Sequence, residues 1–406
     1  MSAPSPAELD RELAAFFARG ADAPADEAAF DRLALRVFAY QYEALAPYRA
    51  FCQRRGALPQ RLRHWSEIPA VPVQAFKDAR LACEEDGISP EPARVFRTSG
   101  TTSDGLVAGE HALSPAALAL YHASLVPAFR AFVLPELAAG AISPLLPLVL
   151  GPPADDVPHS SLWHMVETVG LELFGEEPVH FMASGPAAGA GAAALDAEGL
   201  ARACDAAGDA GRPVCLFATD LALDRFLGVV AASGWKTRLP EGSRLFHTGG
   251  AKGRLRAVDP ADLYARVHAT LGLSAEWCVN EYGMTEMTSQ FYDGTLRAAI
   301  AGPGVSAADL APPRLKVGPP WVRALVVDVH TLEPLPPGRP GVLRIVDLAN
   351  RGSVAALLTE DRAVAEDSAV ATPEANGRLR AFPFRLLGRA RGSEPRGCSL
   401  DAEVFA

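Results

Sequence analysis

Leu13, Phe16 and Phe17, then Phe30, Leu33, Leu35 and Phe38, recur at helical spacing and predict helices across residues 7–55. Ile68-Pro69-Ala70-Val71-Pro72-Val73 reads as extended, because proline fixes its own φ and biases the preceding residue away from the helical region. Ala75-Phe76-Lys77-Asp78 follows and leads into a loop rich in glycine and hydroxyls. Ser114-Pro115 opens a helix by the serine-cap and first-turn-proline rule. Leu145 to Leu150 predicts a buried strand, and His159-Ser160-Ser161 caps a helix with Leu162, Met165 and Val166 on one face. The Ala/Gly-rich stretch 183–211 reads as a loop and a plain helix. Val214 to Ala218 and Leu245 to His247 predict strands, with helices over Leu221 to Ser233 and about 260–271, ahead of Trp277 to Asn280.

From about residue 300 the pattern changes. Trp321 to Val329, Gly341 to Asp347 and Arg378 to Leu387 read as strands between Pro/Gly turns, without long helices. The expected organisation is a helical region over 1–60, an α/β core over 61–300, and a smaller β subdomain over 301–406. Alternating strands and helices in the core place ligand loops at strand ends. The 406 residues are 49% hydrophobic and 21% charged, ordinary values for a globular protein. A net charge of −10 argues against a general nucleic-acid binder, yet leaves room for an anion site, which needs only a local field. The six cysteines show no CxxC or Cys/His ligand spacing, so zinc is not expected, and their spread fits reduced thiols in the cytoplasm. Met1 to Asp10 lacks the basic-then-apolar pattern of a signal peptide, and Pro and Gly break the longest apolar stretches, so no membrane span is expected.

Candidate chemistry starts at Thr98-Ser99-Gly100-Thr101-Thr102, behind the apolar pair Val95-Phe96. Glycines let successive N–H groups converge on one anion, and the hydroxyls add donors, which suits nucleotide phosphates. It is not a Walker loop, since no Gly-Lys-Ser/Thr ends it. Further on, Gly249-Gly250-Ala251 follows a strand, where small residues let a flat base lie against the backbone. Glu281-Tyr282-Gly283-Met284-Thr285-Glu286 joins a ring, a hydroxyl and a carboxylate beside a glycine. Leu358-Thr359-Glu360-Asp361 sets acids after a strand, and Gly388-Arg389 follows.

In this order the clusters resemble the core motifs of the adenylate-forming superfamily of acyl and aryl ligases. Thr98 to Thr102 stand for its phosphate loop, Gly249 to Ala251 for its adenine turn, and Tyr282 to Glu286 for its Tyr-Gly-x-Thr-Glu motif. Thr359-Glu360-Asp361 matches its Thr-Gly-Asp ribose motif with Glu for Gly, and Gly388-Arg389 its hinge. The finer resemblance is to the acyl-protein synthetases of bacterial luminescence operons, which are long-chain-fatty-acid–protein ligases. It rests on Ile68 to Pro72 with Phe76-Lys77, on Asn280 to Thr288, and on the ending Gly388 to Leu400, which includes Cys398. The resemblance covers most of residues 60–406 and implies the large mixed-sheet α/β domain of that superfamily, with its usual mobile C-terminal domain absent.

The implied substrates are ATP with Mg²⁺ and a fatty or related carboxylic acid. Ser99, Gly100, Thr101, Thr102 and Thr98 would hold the β- and γ-phosphates, Thr285 the α-phosphate and Glu286 the metal. Tyr282, beside Gly283, would stack on adenine against Gly249, Gly250 and Ala251. Asp361 would bind the ribose hydroxyls, and Arg389 would reach ribose or phosphate. In that family a cysteine near the C-terminus carries the acyl group, here Cys398, which then passes to a partner such as a reductase or a carrier protein. Arg389, Arg391 and Arg396 precede that thiol and favour its thiolate. Ser103-Asp104-Gly105 stands where many ligases carry Pro-Lys-Gly, and Lys77 and Lys252 are the candidates to replace their catalytic lysine. Two other readings stay open: a ligase of secondary metabolism delivering acyl or aryl groups to CoA, a carrier protein or an amine, and a degenerate acyl-nucleotide binding protein.

Overall fold

A computed structural model describes residues 4–83, 92–98, 108–183, 194–249, 259–301, 305–366 and 383–389. They group into two compact units. One draws on Met1–Pro127, Gly283–Phe291 and Leu315–Ala406, the other on Ala128–Tyr282 and Tyr292–Arg314.

In the first unit, the expected N-terminal helices are Pro6–Phe17, Glu27–Ala44 and Ala46–Arg54. Ser5 caps the first by accepting from the Glu8 amide at 3.3 Å, with Pro6 in the opening turn. Strands Val322–Val327, Pro340–Asp347, Ala356–Ala365, Phe384–Arg389 and Leu315–Val317 lie side by side in that order, each antiparallel to the next. Val71–Pro72 adds to Ala356–Ala365 in parallel. A separate hairpin pairs Arg94–Arg97 with Glu110–Leu113.

Strand Ala356–Ala365 corrects the sequence reading, which set Thr359 to Asp361 after a strand. They lie within it, because neighbours pair on both sides: Leu358 with Arg344, and Asp361 with Arg389. Polar residues suit this stretch, since Glu360 and Asp361 are only half-buried and Arg362 is exposed.

The N-terminal helices brace the turn that follows Pro340–Asp347. Gln41, buried, donates from Nε2 to the carbonyls of Asn350 (2.8 Å) and Arg351 (3.1 Å) and accepts from the Ala355 amide (3.1 Å). Arg351 is fully buried, paired with Asp10 and donating to the Tyr40 hydroxyl at 3.2 Å.

The second unit carries the expected α/β alternation. Strands Cys278–Tyr282, Arg244–Thr248, Val214–Thr219, Leu146–Leu150 and Val179–His180 are neighbours in that order and all parallel. Helices Ala197–Asp209, Asp220–Ser233 and Pro260–Leu271 cover the sheet, and Leu200, Leu216, Phe226, Leu245, Val267 and Cys278 share one core. Register sets Thr219 opposite Thr248 and Thr248 opposite Glu281, so three strands finish level. In parallel α/β sheets ligands bind outside that carboxyl edge.

The fold class is therefore the expected one, α/β with mixed sheets flanked by helices. Among the described residues one helix, Pro115–Val133, is long and apolar enough to cross a membrane, and 56% of its window is buried within the protein.

Removing the Gln41 amide would leave three buried backbone groups without that partner. Gln41→Ala is expected to cost about 2–4 kcal/mol in urea unfolding. A loss within about 0.5 kcal/mol, the range of ordinary surface changes, would contradict this bracing role.

Candidate functional site

The Tyr282-to-Thr288 motif is the part of the candidate site with the fullest set of described contacts, and its loop lies in the first unit beyond Tyr282. Asp347, completely buried, accepts from the Thr288 amide (2.9 Å) and hydroxyl (3.1 Å), and from the Ser289 amide (2.8 Å) and hydroxyl (2.6 Å). The Ala349 amide adds a fifth bond at 3.0 Å. Burial raises the Asp347 carboxyl pKa, and these donors pull it back down. Three residues on, Asn350 donates from Nδ2 to the carbonyls of Glu286 (2.8 Å) and Val354 (2.9 Å). Its Oδ1 lies 3.1 Å from His111 Nε2. The other ring nitrogen, Nδ1, lies 2.7 Å from the Thr285 carbonyl. Thr285 and Glu286 are thus each held through a main-chain carbonyl.

His111 belongs to the hairpin that carries the hydroxyl-glycine loop. At the loop's neck the Thr98 amide donates to the Gly109 carbonyl, and the Gly109 amide donates to the Thr98 hydroxyl oxygen, both at 2.9 Å. Thr98 therefore closes the loop at its base. The Phe76 ring meets the His111 ring edge-on at 5.9 Å, and Gly109 comes so close that an added Cβ would sit 3.2 Å from the Phe76 carbonyl carbon. This explains the Ile68-to-Lys77 signature physically. The Tyr48 hydroxyl donates to the Pro69 carbonyl (2.9 Å), and Arg344 donates to those of Ser66 (2.7 Å) and Ile68 (2.5 Å). The Val73 amide then bonds Leu358, and Gln74 bonds Glu360. The signature is a bracket between the loop hairpin and the strand carrying Asp361. Asp361 faces Arg389 across the sheet, Oδ1 to Nε 3.6 Å, with the arginine side chain 59% exposed. The structure thus pairs the two residues assigned to the ribose side.

In the second unit Tyr282 ends its strand and is buried, and Gly249 follows the end of the neighbouring one. Beside Gly249 lies a polar cluster. His247 Nδ1 is 2.6 Å from Asp220 Oδ1, its Nε2 is 3.0 Å from the Tyr264 hydroxyl, and Asn280 Nδ2 reaches the His247 carbonyl at 3.3 Å. His247 is thus the hydrogen-bonded structural histidine that its strand-end position suggests.

Ser99, Gly100, Thr101, Thr102, Gly250, Ala251, Lys252 and Cys398 lie outside the described residues. Lys77 is exposed on the short helix Ala75–Asp78. The other five cysteines, Cys52, Cys83, Cys204, Cys215 and Cys278, are free thiols in buried positions, as expected of core residues. Sequence reasoning passed over His111, Asp347, Asn350 and Asp220. The signal was present in Asp347-Leu348-Ala349-Asn350-Arg351, three polar residues in an apolar stretch, each of which must find partners once buried.

Among the described residues no group of three or more His, Cys, Asp or Glu side chains could hold a metal ion. A dedicated protein cage is absent from them.

Residues 211–404 match the family model for acyl-protein synthetase, LuxE, and the resemblance read from the motifs is shown over that segment. A comparison with curated proteins finds no match. Among solved structures, 2-hydroxyisobutyryl-CoA ligase in an open conformation, in complex with 2-HIB-AMP and CoA, is similar over 92% of this chain and 77% of its own, with 14% identity and a TM-score of 0.60. The same ligase in its postadenylation state with 2-HIB-AMP matches over 96% and 69%, with 13% identity and a TM-score of 0.58. At such identities the likeness establishes the fold alone, which this chain shares with that CoA ligase.

Burial is the leading influence on His111 and draws its pKa down to about 4. An unfolded histidine titrates near 6.5. Between these values the unfolded chain binds a proton that the folded one refuses, so stability falls as pH falls. From pH 7 to pH 5 this amounts to about 2 kcal/mol. Urea unfolding of wild type and His111→Gln should show that slope only in wild type. The opposite slope would mean that the Thr285 and Asn350 oxygens hold the ring as an imidazolium.

Proposed function

We propose that the chain is an ATP-dependent acid–thiol ligase that activates a fatty or related carboxylic acid and loads it onto Cys398. The observation that carries this reading is the bond between His111 and the Thr285 carbonyl. It ties the hairpin of the hydroxyl-glycine loop to the Thr-Glu segment, the two parts that a phosphoryl site must hold in register. The family match over 211–404 and the ligase fold support it.

In the first step a carboxylate oxygen attacks the α-phosphorus, the bond from that phosphorus to the bridging oxygen breaks, and pyrophosphate leaves. Catalysis of this kind is positioning and charge neutralisation. By the family resemblance, Ser99, Gly100, Thr101 and Thr102, with Thr98 at the start of the loop, would donate to the β- and γ-phosphates. Thr285 donates to the α-phosphate, and Asp361 accepts from the ribose hydroxyls with Arg389 beside it. The resemblance assigns the base to Tyr282 and Gly283 and to the turn Gly249-Gly250-Ala251. Glu286 holds Mg²⁺, which when bound neutralises phosphate charge.

In the second step the Cys398 thiolate attacks the acyl carbonyl, the carbon–oxygen bond to phosphate breaks, and AMP leaves with that oxygen. Burial pushes the thiols of Cys52, Cys204, Cys215 and Cys278 up to about 12, so they are poor nucleophiles near neutrality. This supports Cys398 as the carrier. A reductase or a carrier protein would take the acyl group onward, and the reduced thiols fit a cytoplasmic enzyme.

Purified chain given ATP, Mg²⁺ and a panel of acids is expected to show acid-dependent ATP–pyrophosphate exchange and an acyl mass adduct released by neutral hydroxylamine. Cys398→Ala should lose the adduct and keep exchange, whereas Glu286→Gln should slow exchange by about 10²-fold or more. Exchange without adduct in wild type, with turnover appearing on adding CoA, would favour a CoA ligase. No exchange with any acid would favour a binding protein.

A further inference from the structure

The glycine that opens the Gly249-Gly250-Ala251 turn has a structural cause within the second unit. An ideal Cβ built on Gly249 would lie 1.7 Å from Asp220 Oδ2 and 2.5 Å from its carboxyl carbon. Real atoms do not approach so closely, so any side chain at 249 must displace the carboxylate. That carboxylate is tethered. Asp220 opens helix Asp220–Ser233, where a negative charge is favoured, and its Oδ1 lies 2.6 Å from His247 Nδ1. A carboxylate only accepts, so Nδ1 carries a proton, and Nε2 lies 3.0 Å from the Tyr264 hydroxyl, within hydrogen-bond reach. His247 is 2% exposed, and Tyr264 is buried as well. The tyrosine, histidine and aspartate thus form one hydrogen-bonded strut that ends against the Gly249 backbone.

The sequence alone explained a small residue at this turn by the flat base of a nucleotide lying on it. The structure supplies a different cause for the first glycine, a carboxylate of the protein itself. We infer that Asp220 is a positioning residue for the nucleotide turn. Held by His247 and Tyr264, it fixes where the main chain leaves strand Arg244–Thr248 at Gly249. The inference rests on the reading of that turn as part of an ATP site.

Four full-length variants test it: Gly249→Ala, Asp220→Ala, Asp220→Asn and the double substitution Gly249→Ala with Asp220→Ala, each measured for ATP binding by calorimetry and for the KM and kcat of acid-dependent pyrophosphate exchange. Gly249→Ala is expected to raise Kd and KM for ATP about tenfold with kcat little changed, because the methyl drives Asp220 off His247. Asp220→Ala is expected to raise both by a similar factor, the double variant should lose little more than either single one because both changes remove the same support, and Asp220→Asn, which keeps the shape, should stay near wild type. Fully additive losses in the double variant, or wild-type affinity in Gly249→Ala or in Asp220→Ala, would overturn the inference. So would a His247 Nδ1 proton resonance unchanged by Gly249→Ala, a readout independent of nucleotide. A wild-type chain that binds no ATP would instead overturn the functional reading, and with it the nucleotide role of Asp220.

Discussion

A buried turn cannot leave its polar groups unmatched, and the turn after strand Pro340–Asp347 meets that demand by gripping the candidate catalytic segment. Asp347 sits in the interior with five donors around it, four of them from Thr288 and Ser289. Asn350 spends its amide on Glu286, Val354 and His111. Water is excluded there, so breaking any of these bonds leaves an uncompensated polar group, which costs more than the net gain from an ordinary hydrogen bond. The same penalties that stabilise the turn hold the main chain of Thr285 and Glu286 in place. Gln41 and Asp10, the latter through Arg351, brace the turn from the N-terminal helices, which gives that otherwise featureless region a mechanical purpose.

The design separates holding from acting. Thr285 and Glu286 are fixed by their carbonyls, Thr98 by its amide and hydroxyl oxygen, and Gly249 by a carboxylate lodged where a side chain would stand. Each hold comes from a residue with no place in the motifs themselves. Phosphoryl and acyl transfer reward this division, since their rate depends chiefly on fixed placement of donors and charge.

Much of the fold was legible because periodicity reports burial directly. The helices over 27–44, 220–233 and 260–271 and the strands at 146–150 and 214–219 all carry plain apolar faces. The strand at 356–365 was harder to read, because Thr359-Glu360-Asp361 interrupts its apolar run at the sheet's partly open side. The motif positions Thr285, Glu286 and Asp361 could be read from residue type and order. Their supports could not. His111 and Asn350 are 239 positions apart, and nothing local in either stretch records that they meet. Gly249 was legible as a glycine but not for its reason, since Asp220 comes from a different strand end.

Under the proposed function, Asn350 orients Thr285-Glu286 for chemistry and does more than stabilise the fold. The direct measurement is acid-dependent ATP–pyrophosphate exchange by Asn350→Ala, run below its unfolding midpoint and matched to wild type for folded content. The account predicts a fall of about 10²-fold in kcat, the scale of a displacement of roughly 1 Å at a reacting site. A folded Asn350→Ala chain exchanging at the wild-type rate would contradict it.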